Sequence, residues 1–357
     1  MMDRKFFPFP KIGQFRSAVK AVMSKSRFNG LDEQTGEPIY NNDPLPTLQY
    51  EGSVKLHGTN ASIVRSANDE FSDEDGQLTY TYTPQSRSQK LNFPHSDNAG
   101  FAMWCNQKQD AIAELFKPIS KILPIAIYGE WCGGNIQKGV GINGLDKMFV
   151  IFAAKILSEN EEDGDIWIDL DFIKEWITSQ NSNGIYYIKQ FMSFNITIDF
   201  NDPQRKQNDM IEVTETVEAM CPVAKAFGVE GIGEGVVWKC VTKGYESSKF
   251  WFKVKGVKHS VSKVKKMASV DVEKLDSISA FVDANVTEAR LEQAWDTTGA
   301  RSRKQTGDFL RWIVNDIYSE EYDTMAANGL SGKDVNAEIS KKARVWFFSK
   351  LDDEVGL

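Results

Sequence analysis

Near residue 265 the hydrophobic pattern of this chain changes period, and that change divides the molecule. Before it, apolar and polar residues alternate in TLQYEGSVKL, ASIVR, QLTYTYTP, PIAIYGEW, KMFVIFAAKI, YYIKQFMSFNITIDF, GVVWKC and SKFWFKVK, the period of half-buried strands. Between them FRSAVKAVMSK, NQKQDAIAELFKPI, LDFIKEWITSQ and NDMIEVTETVEAM carry apolar residues three or four apart, as helices do. The strands come too often in succession for a βαβ alternation, so mostly antiparallel sheets with helices packed outside are expected. After residue 265 only the helical period remains. Leu291 and Trp295 are four apart, Phe309, Trp312, Ile313 and Ile317 share one stripe, and Ile339, Ala343, Trp346 and Phe347 share another. The expected fold class is α+β, with a mixed domain over 1–262 and an all-helical domain over 263–357.

A chain of 357 residues, 41% of them hydrophobic, can bury the cores of two such domains. The start, MMDRKFFPFPKIG, has prolines where a signal peptide has an apolar run, and no stretch approaches the length of a membrane span. Cys105, Cys132, Cys221 and Cys240 are scattered without a CxxC pair, which argues against a disulfide framework or a zinc knuckle. The expectation is a reduced, cytoplasmic protein with no membrane partner.

The formal net charge of -8 speaks against a nucleic-acid partner until its distribution is considered. Residues 243–266 hold eight lysines against one glutamate. The first thirty hold seven cations against Asp3. Acidity gathers in FSDEDG, SENEEDGDIW and the last third. A lysine cluster alone is often a solvated face, but two basic segments flanking one site would suit a phosphate-bearing ligand.

The familiar phosphate loops are missing. GGNIQKGVG lacks the order G-x-x-x-x-G-K-[ST], and GVEGIGEG carries a glutamate that would repel phosphate. His57, His95 and His259 stand far apart, so a zinc site built on histidine pairs is not expected. Lys55 is different. It ends the alternating run YEGSVK, and a glycine turn follows it in LHGTN. An ammonium group attacks at neutral pH only when desolvation or neighbouring cations disfavour its charge. A half-buried strand end offers the first condition, and Lys253 and Lys255 in FWFKVKG, two apart on one strand face, could supply the second. Glu130 closes PIAIYGE and Glu234 opens EGVVWK. Two carboxylates near phosphates make sense if they hold ribose hydroxyls or a divalent metal.

KLHGTN, YGEW, FVIF, EGVVWK and FKVKG occur in this order, and they resemble motifs I, III, IIIa, IV and V of the covalent nucleotidyltransferases. The histidine of KLHGTN is similar to that of the RNA ligase 2 family, which includes phage RNA-repair ligases and trypanosome RNA-editing ligases. CPVAKAFG and the helical VTEARL tail also look like that group. The resemblance implies an ATP-grasp-like nucleotidyltransferase domain followed by a helical one. It implies that Lys55 attacks the α-phosphate of ATP, that Glu130 holds the ribose, and that Phe152, or less favourably Phe149, stacks on the adenine. Glu234 would place Mg²⁺ or Mn²⁺, Lys253 and Lys255 would neutralise phosphates, His57 and Asn60 would orient the reacting groups, and Arg87 would contact an RNA phosphate. One departure is Ala153, where the family often has an acidic residue. The implied partner is RNA with 5′-phosphate and 3′-hydroxyl ends, nicks in duplex RNA included. The implied setting is a monomer in the cytoplasm, the host's if the chain is phage-encoded.

Each residue also has a plainer role open to it. Lys55, Glu130 and Glu234 could be strand-end surface residues, Phe152 core, Lys253 and Lys255 edge charges, and Arg87 a partner of a nearby carboxylate. Three functions compete: RNA-end joining with ATP, the same chemistry on DNA nicks or on an mRNA cap made from GTP, and a silent RNA-binding protein. The DNA and capping relatives usually append an OB-fold barrel after motif V, whereas this tail has helical period.

Overall fold

The computed structural model describes residues 6–31, 33, 38–72, 78–119, 124–157, 166–256, 278–327 and 330–355. In chain order the elements are α1 (Phe15–Arg27), β1 (Phe28–Leu31), β2 (Pro38–Tyr40), β3 (Thr47–Lys55), β4 (Thr59–Ser72) and β5 (Leu78–Ser86). Then come α2 (Phe101–Gln107), α3 (Gln109–Phe116), β6 (Ile125–Cys132), β7 (Met148–Ile156), β8 (Ile166–Ile168), α4 (Lys174–Thr178), β9 (Ile185–Tyr187) and β10 (Ser193–Asp199). The first unit ends with α5 (Gln207–Ala219), α6 (Pro222–Ala226), β11 (Gly235–Cys240) and β12 (Phe252–Lys255). Four helices follow: α7 (Ile278–Asn285), α8 (Glu288–Thr298), α9 (Thr306–Ala327) and α10 (Gly332–Val355).

The fold is α+β, as the two hydrophobic periods predict. Two compact units divide between Val254 and Lys255, while the boundary expected at 262/263 lies outside the described residues. In the first unit a small sheet runs β10-β3-β11-β12 and a larger one β5-β4-β6-β7-β8, with β9 lying parallel to β7. The registered pairs β3 with β10 and β11, β4 with β5 and β6, and β7 with β6 and β8 are antiparallel.

Alternation decides the faces of the small sheet. Leu48, Tyr50 and Val54 of β3 are buried, as are Val236, Trp238 and Cys240 of β11. Gly52 is registered opposite Trp238, and a Cβ there would come within 2.8 Å of the indole, so the large ring occupies the space a side chain would need. The opposite face carries Glu51, Ser53 and Lys55 on β3, with Val237 and Lys239 beside them on β11. Helix α1 buries Ala18 and Val22 against the main core, at the spacing its amphipathic sequence predicts.

Two readings of the sequence need correction. YYIKQFMSFNITIDF is not one strand: β9 belongs to the larger sheet and β10 to the smaller, with a single turn of tight helix, Ile188–Gln190, between them. NQKQDAIAELFKPI is mostly α3, and α2 before it was not foreseen. The all-helical tail is as expected among the described residues, with Phe281, Trp295, Phe309, Ile313, Ile339 and Phe347 in its core. Its helices also enclose Arg290, whose Nε lies 2.9 Å from Asp316 and whose Nη1 donates to the Asn285 carbonyl at 3.0 Å. All four cysteines are buried free thiols. Among the described residues no helix is long and apolar enough to cross a membrane.

Candidate functional site

Lys55 stands at the last residue of β3, registered opposite Gly235, so Glu234 meets it at the mouth of the small sheet. Lys55 Nζ donates to Glu234 Oε2 at 2.6 Å, and His57 Nδ1 lies 3.4 Å from the same oxygen. The Glu234 side chain is only 2% exposed, against 21% for Lys55 and 16% for His57. The amine therefore has a route to solvent while its carboxylate partner is sealed. The cationic surroundings expected for Lys55 have a buried anion at their centre.

The turn after Lys55 sets the second carboxylate. Gly58 donates its backbone N–H to Glu130 Oε1 at 2.9 Å. A Cβ on Gly58 would lie 2.4 Å from the Trp131 carbonyl oxygen, so glycine alone lets the turn rest on β6. Asn60 is registered opposite Glu130, which places His57, Asn60 and Glu130 around one strand end. Burial pushes the Glu130 carboxyl up to about 7; Lys55 draws it down and Glu234 raises it. Near neutrality this side chain can hold or release a proton, and it can accept a hydrogen bond whenever it is ionised.

Phe149 and Phe152 part company at a bulge. Ile151 is registered opposite Gly129 and Ala153 opposite Tyr128, so Phe152 is the extra residue. Phe149 is fully buried against Phe101 and Trp104. Phe152 is half-buried and packs against Phe9, ring centroids 5.0 Å apart and edge to face. Phe9 also lies near Tyr128, Trp167 and Trp251. Its segment is tied at one end through Phe7, which donates to Gln85 and accepts from Tyr128 OH, and at the other through Gly13, which accepts from Lys253 N.

Lys239 was not singled out in the sequence, although it shares the face of Val237 on the strand that Glu234 opens. Its Nζ donates to the Phe152 carbonyl and sits 4.6 Å from the Trp251 ring centre. The lysine face of the small sheet thus meets β7 of the larger one. Burial, helped by the charge of Lys189, lowers the Lys239 amine to about 7, with Glu51 opposing. Lys189 itself bridges Glu51 at 2.7 Å and Asp171 at 2.6 Å, and Tyr187 OH donates to Asp171 at 2.7 Å. A cavity of about 460 Å³ opens beside this group.

Lys253 and Lys255 lie on β12, next to β11. Phe252 between them and Trp251 is fully buried, so alternation turns both lysines to the face opposite the core. Arg87 is exposed in the turn after β5. Its neighbour Ser86 is registered with Ala61, which puts Arg87 at the sheet edge beside Asn60. His95 is exposed, and His259 lies outside the described residues. No cluster of three or more His, Cys, Asp or Glu able to hold a metal occurs among the described residues. Glu130 and Glu234 could hold a divalent cation only together with oxygens from a ligand, which is how Mg²⁺ is ordinarily bound in phosphate chemistry.

The arrangement can therefore offer an amine, an imidazole and two carboxylates at one strand end, with an aromatic ring and further lysines deeper in. The search of curated proteins finds no match. Among solved structures, the chain is similar to a mutant of Naegleria gruberi RNA ligase with AMP and Mn, at 12% identity over 72% of this chain and 58% of that one, TM-score 0.42. A second mutant of that ligase, with ATP and Mn, matches at 13% identity over 71% and 58%, TM-score 0.41. An archaeal ATP-dependent RNA ligase matches at 13% identity over 90% and 65%, TM-score 0.37. This chain thus spans less than two thirds of the length of each. The model of the RNA ligase family matches residues 49–255, more than half of the chain and every strand from which the site is built, and the protein belongs to the RNA ligase family.

Proposed function

We propose that this protein joins RNA ends with ATP through a covalent adenylate on Lys55. The observation that carries the reading is the convergence of Lys55, His57, Glu130 and Glu234 at one strand end, in a chain whose family match, residues 49–255, contains all four of them. In the first step the Lys55 amine, having given up a proton to solvent, attacks the α-phosphorus of ATP. The bond to the β-phosphate oxygen breaks and pyrophosphate leaves. A 5′-phosphate oxygen of RNA then takes the adenylyl group, the P–N bond breaks, and Lys55 recovers its amine. Last, a 3′-hydroxyl attacks the activated 5′-phosphate, losing its proton as AMP departs.

The residues divide this work by chemistry. Glu130 accepts from the ribose hydroxyls when ionised, and Phe152 offers a ring face to the adenine. Lys253 and Lys255 offset the phosphate charge, Arg87 receives RNA phosphate, and His57 and Asn60 orient the ends. The Lys55–Glu234 ion pair must open before attack, because an ammonium has no lone pair to donate. The Naegleria ligase was solved with AMP or ATP and Mn; here Mg²⁺ or Mn²⁺ held by Glu234 and the phosphates would stabilise the charge that develops on the phosphoryl oxygens. The helical tail supports RNA over the DNA-nick and capping alternatives, whose chains usually continue into a strand barrel.

The test is transfer of label from ATP labelled at the α-phosphate. A covalent, acid-labile protein–AMP adduct is expected with Mg²⁺, and Lys55→Ala should abolish it. Labelling by GTP alone would favour capping, and no labelling by either would sink the ligase reading.

A further inference from the structure

Beyond the adenylate site, the same strand row ends on a group of aromatic side chains that the chemistry above leaves unused, with Phe227 exposed and Tyr186 and Phe191 half-buried behind it. Asn60 is registered with Glu130, Glu130 with Val150, and Val150 with Tyr186. Residues registered in this way point to one face of a sheet, so Tyr186 lies on the Glu130 face, two strands across, on the order of 10 Å away. Tyr186 meets Phe227 edge to face, centroids 5.3 Å apart, and Phe191 at 5.8 Å; Phe191 and Phe227 are 5.9 Å apart. Phe227 is 37% exposed, and Met192 and Val229 beside this group in sequence are 40% and 37% exposed.

The group is held in place, not merely displayed. Phe227 caps α6, whose Val223 and Ala224 are fully buried, and Val229 N donates back to the Ala224 carbonyl at 3.0 Å. The same loop runs on to Glu234 through Gly231, packed on Gly141, and Gly233, whose N–H donates to Val217 at 3.1 Å. One braced loop therefore carries Phe227 at its start and the partner of Lys55 at its end. At the other edge of the sheet stands Arg87. On the RNA-end reading, the reacting ends lie between these edges, over Glu130.

We infer that Tyr186, Phe191 and Phe227 form a stacking platform for a nucleobase of the RNA substrate, one or two nucleotides from the junction. The inference rests on the RNA-end reading of the site. Every base has a π-face, so such a platform grips a strand without reading its sequence. Exposed Lys225 and Glu230 cancel around Phe227, so the grip comes from ring faces and not from charge. That feature separates it from a phosphate contact, whose affinity falls steeply with salt.

The experiment is equilibrium binding of a nicked RNA duplex with a 5′-phosphate to the full-length protein, which needs no catalysis. Phe227→Ala should weaken binding by about five- to a hundredfold, the range for losing one stacked base, and Phe227→Trp should restore it. The salt slope should stay as in the unaltered protein, whereas Arg87→Ala should flatten it. An RNA carrying an abasic residue beside the nick should bind both proteins equally weakly. Far-ultraviolet dichroism and the melting temperature verify that the variants fold. Equal binding of natural RNA by the unaltered protein and Phe227→Ala, or an equal loss on natural and abasic RNA, overturns the platform. So does a change of oligomeric state in Phe227→Glu, which would make this patch an interface between copies. Labelling of Lys55 by ATP tests the ligase reading separately, and RNA affinity can fail while labelling succeeds.

Discussion

At the residue scale, Glu130 ties the site to pH. Its carboxyl is pushed up to about 7, first by burial, from an ordinary value near 4.3. A hydroxyl donor on a ribose is accepted best by the ionised form, so labelling by limiting ATP should strengthen as pH rises through about 7. Glu130→Gln cannot ionise, and its profile should lose that limb while keeping any set by other groups. The stability consequence has the opposite sign. Below about pH 4 both folded and unfolded chains hold the proton. Between there and pH 7 the unfolded chain releases it and the folded chain keeps it, so folding weakens as pH rises. Glu130→Gln should remove this decline and melt higher than the unaltered protein at pH 8 but not at pH 4. The difference should be on the order of 4 kcal/mol at most, one unit of pKa being worth about 1.4 kcal/mol. Equal melting shifts at both pH values would remove Glu130 as the cause.

At the scale of elements, a contact between two glycines braces the loop that ends on Glu234. Gly231 and Gly141 touch so closely that a Cβ on Gly231 would come within 2.3 Å of the other's Cα, and Gly141 N donates to the Ile232 carbonyl at 2.9 Å. Gly231→Ala must part the two loops. It should lower the melting temperature by several degrees and reduce lysine labelling at least tenfold, with a smaller effect at Gly144, where a Cβ meets open space. An unchanged labelling rate in Gly231→Ala would mean that Glu234 does not depend on this contact. Neither glycine announces itself by sequence, because the close approach joins segments ninety residues apart in number. The alternating strands β3 and β11 were legible from period 2, and with them the places of Lys55 and Glu234; β6 was legible as an apolar run instead, buried on both faces except at Glu130. The bulge that frees Phe152 was not, since period alone sees Phe149 and Phe152 in one apolar run. Nor was the short β9, because YYIKQFMSFNITIDF alternates straight through a turn that sends its two halves into different sheets. The ion pair of Lys55 with Glu234 is the sharpest difference. The sequence pattern placed each of them at a strand end, and the resemblance alone put them in one site; the direct contact follows from register, which alternation does not specify.

At the scale of the whole molecule, an acidic chain carries its site on a lysine-bearing face. The net charge of -8 is the sum of segments of opposite sign, and Lys55, Lys239, Lys253 and Lys255 all lie on β3, β11 and β12. Each residue assigned to the adenylate site precedes residue 256, while the core of the helical unit begins at Phe281. In that core the stripes of α8, α9 and α10 pack on one another, and Arg290 pairs with Asp316. The first unit likewise closes its own core from Ala18 to Phe252. A chain ending at Gly256 should therefore fold and still take up AMP from ATP on Lys55 within about threefold of the full-length rate, since each unit has a hydrophobic cluster of its own. Labelling and melting of the two proteins side by side decide the matter. If the shortened chain melts as a folded protein yet takes no label, the first chemical step requires a residue beyond 256, and the assignment of phosphate neutralisation to Lys253 and Lys255 alone is wrong. If it labels normally, the helical unit acts after Lys55 is charged, and its part must be sought in the steps that involve RNA.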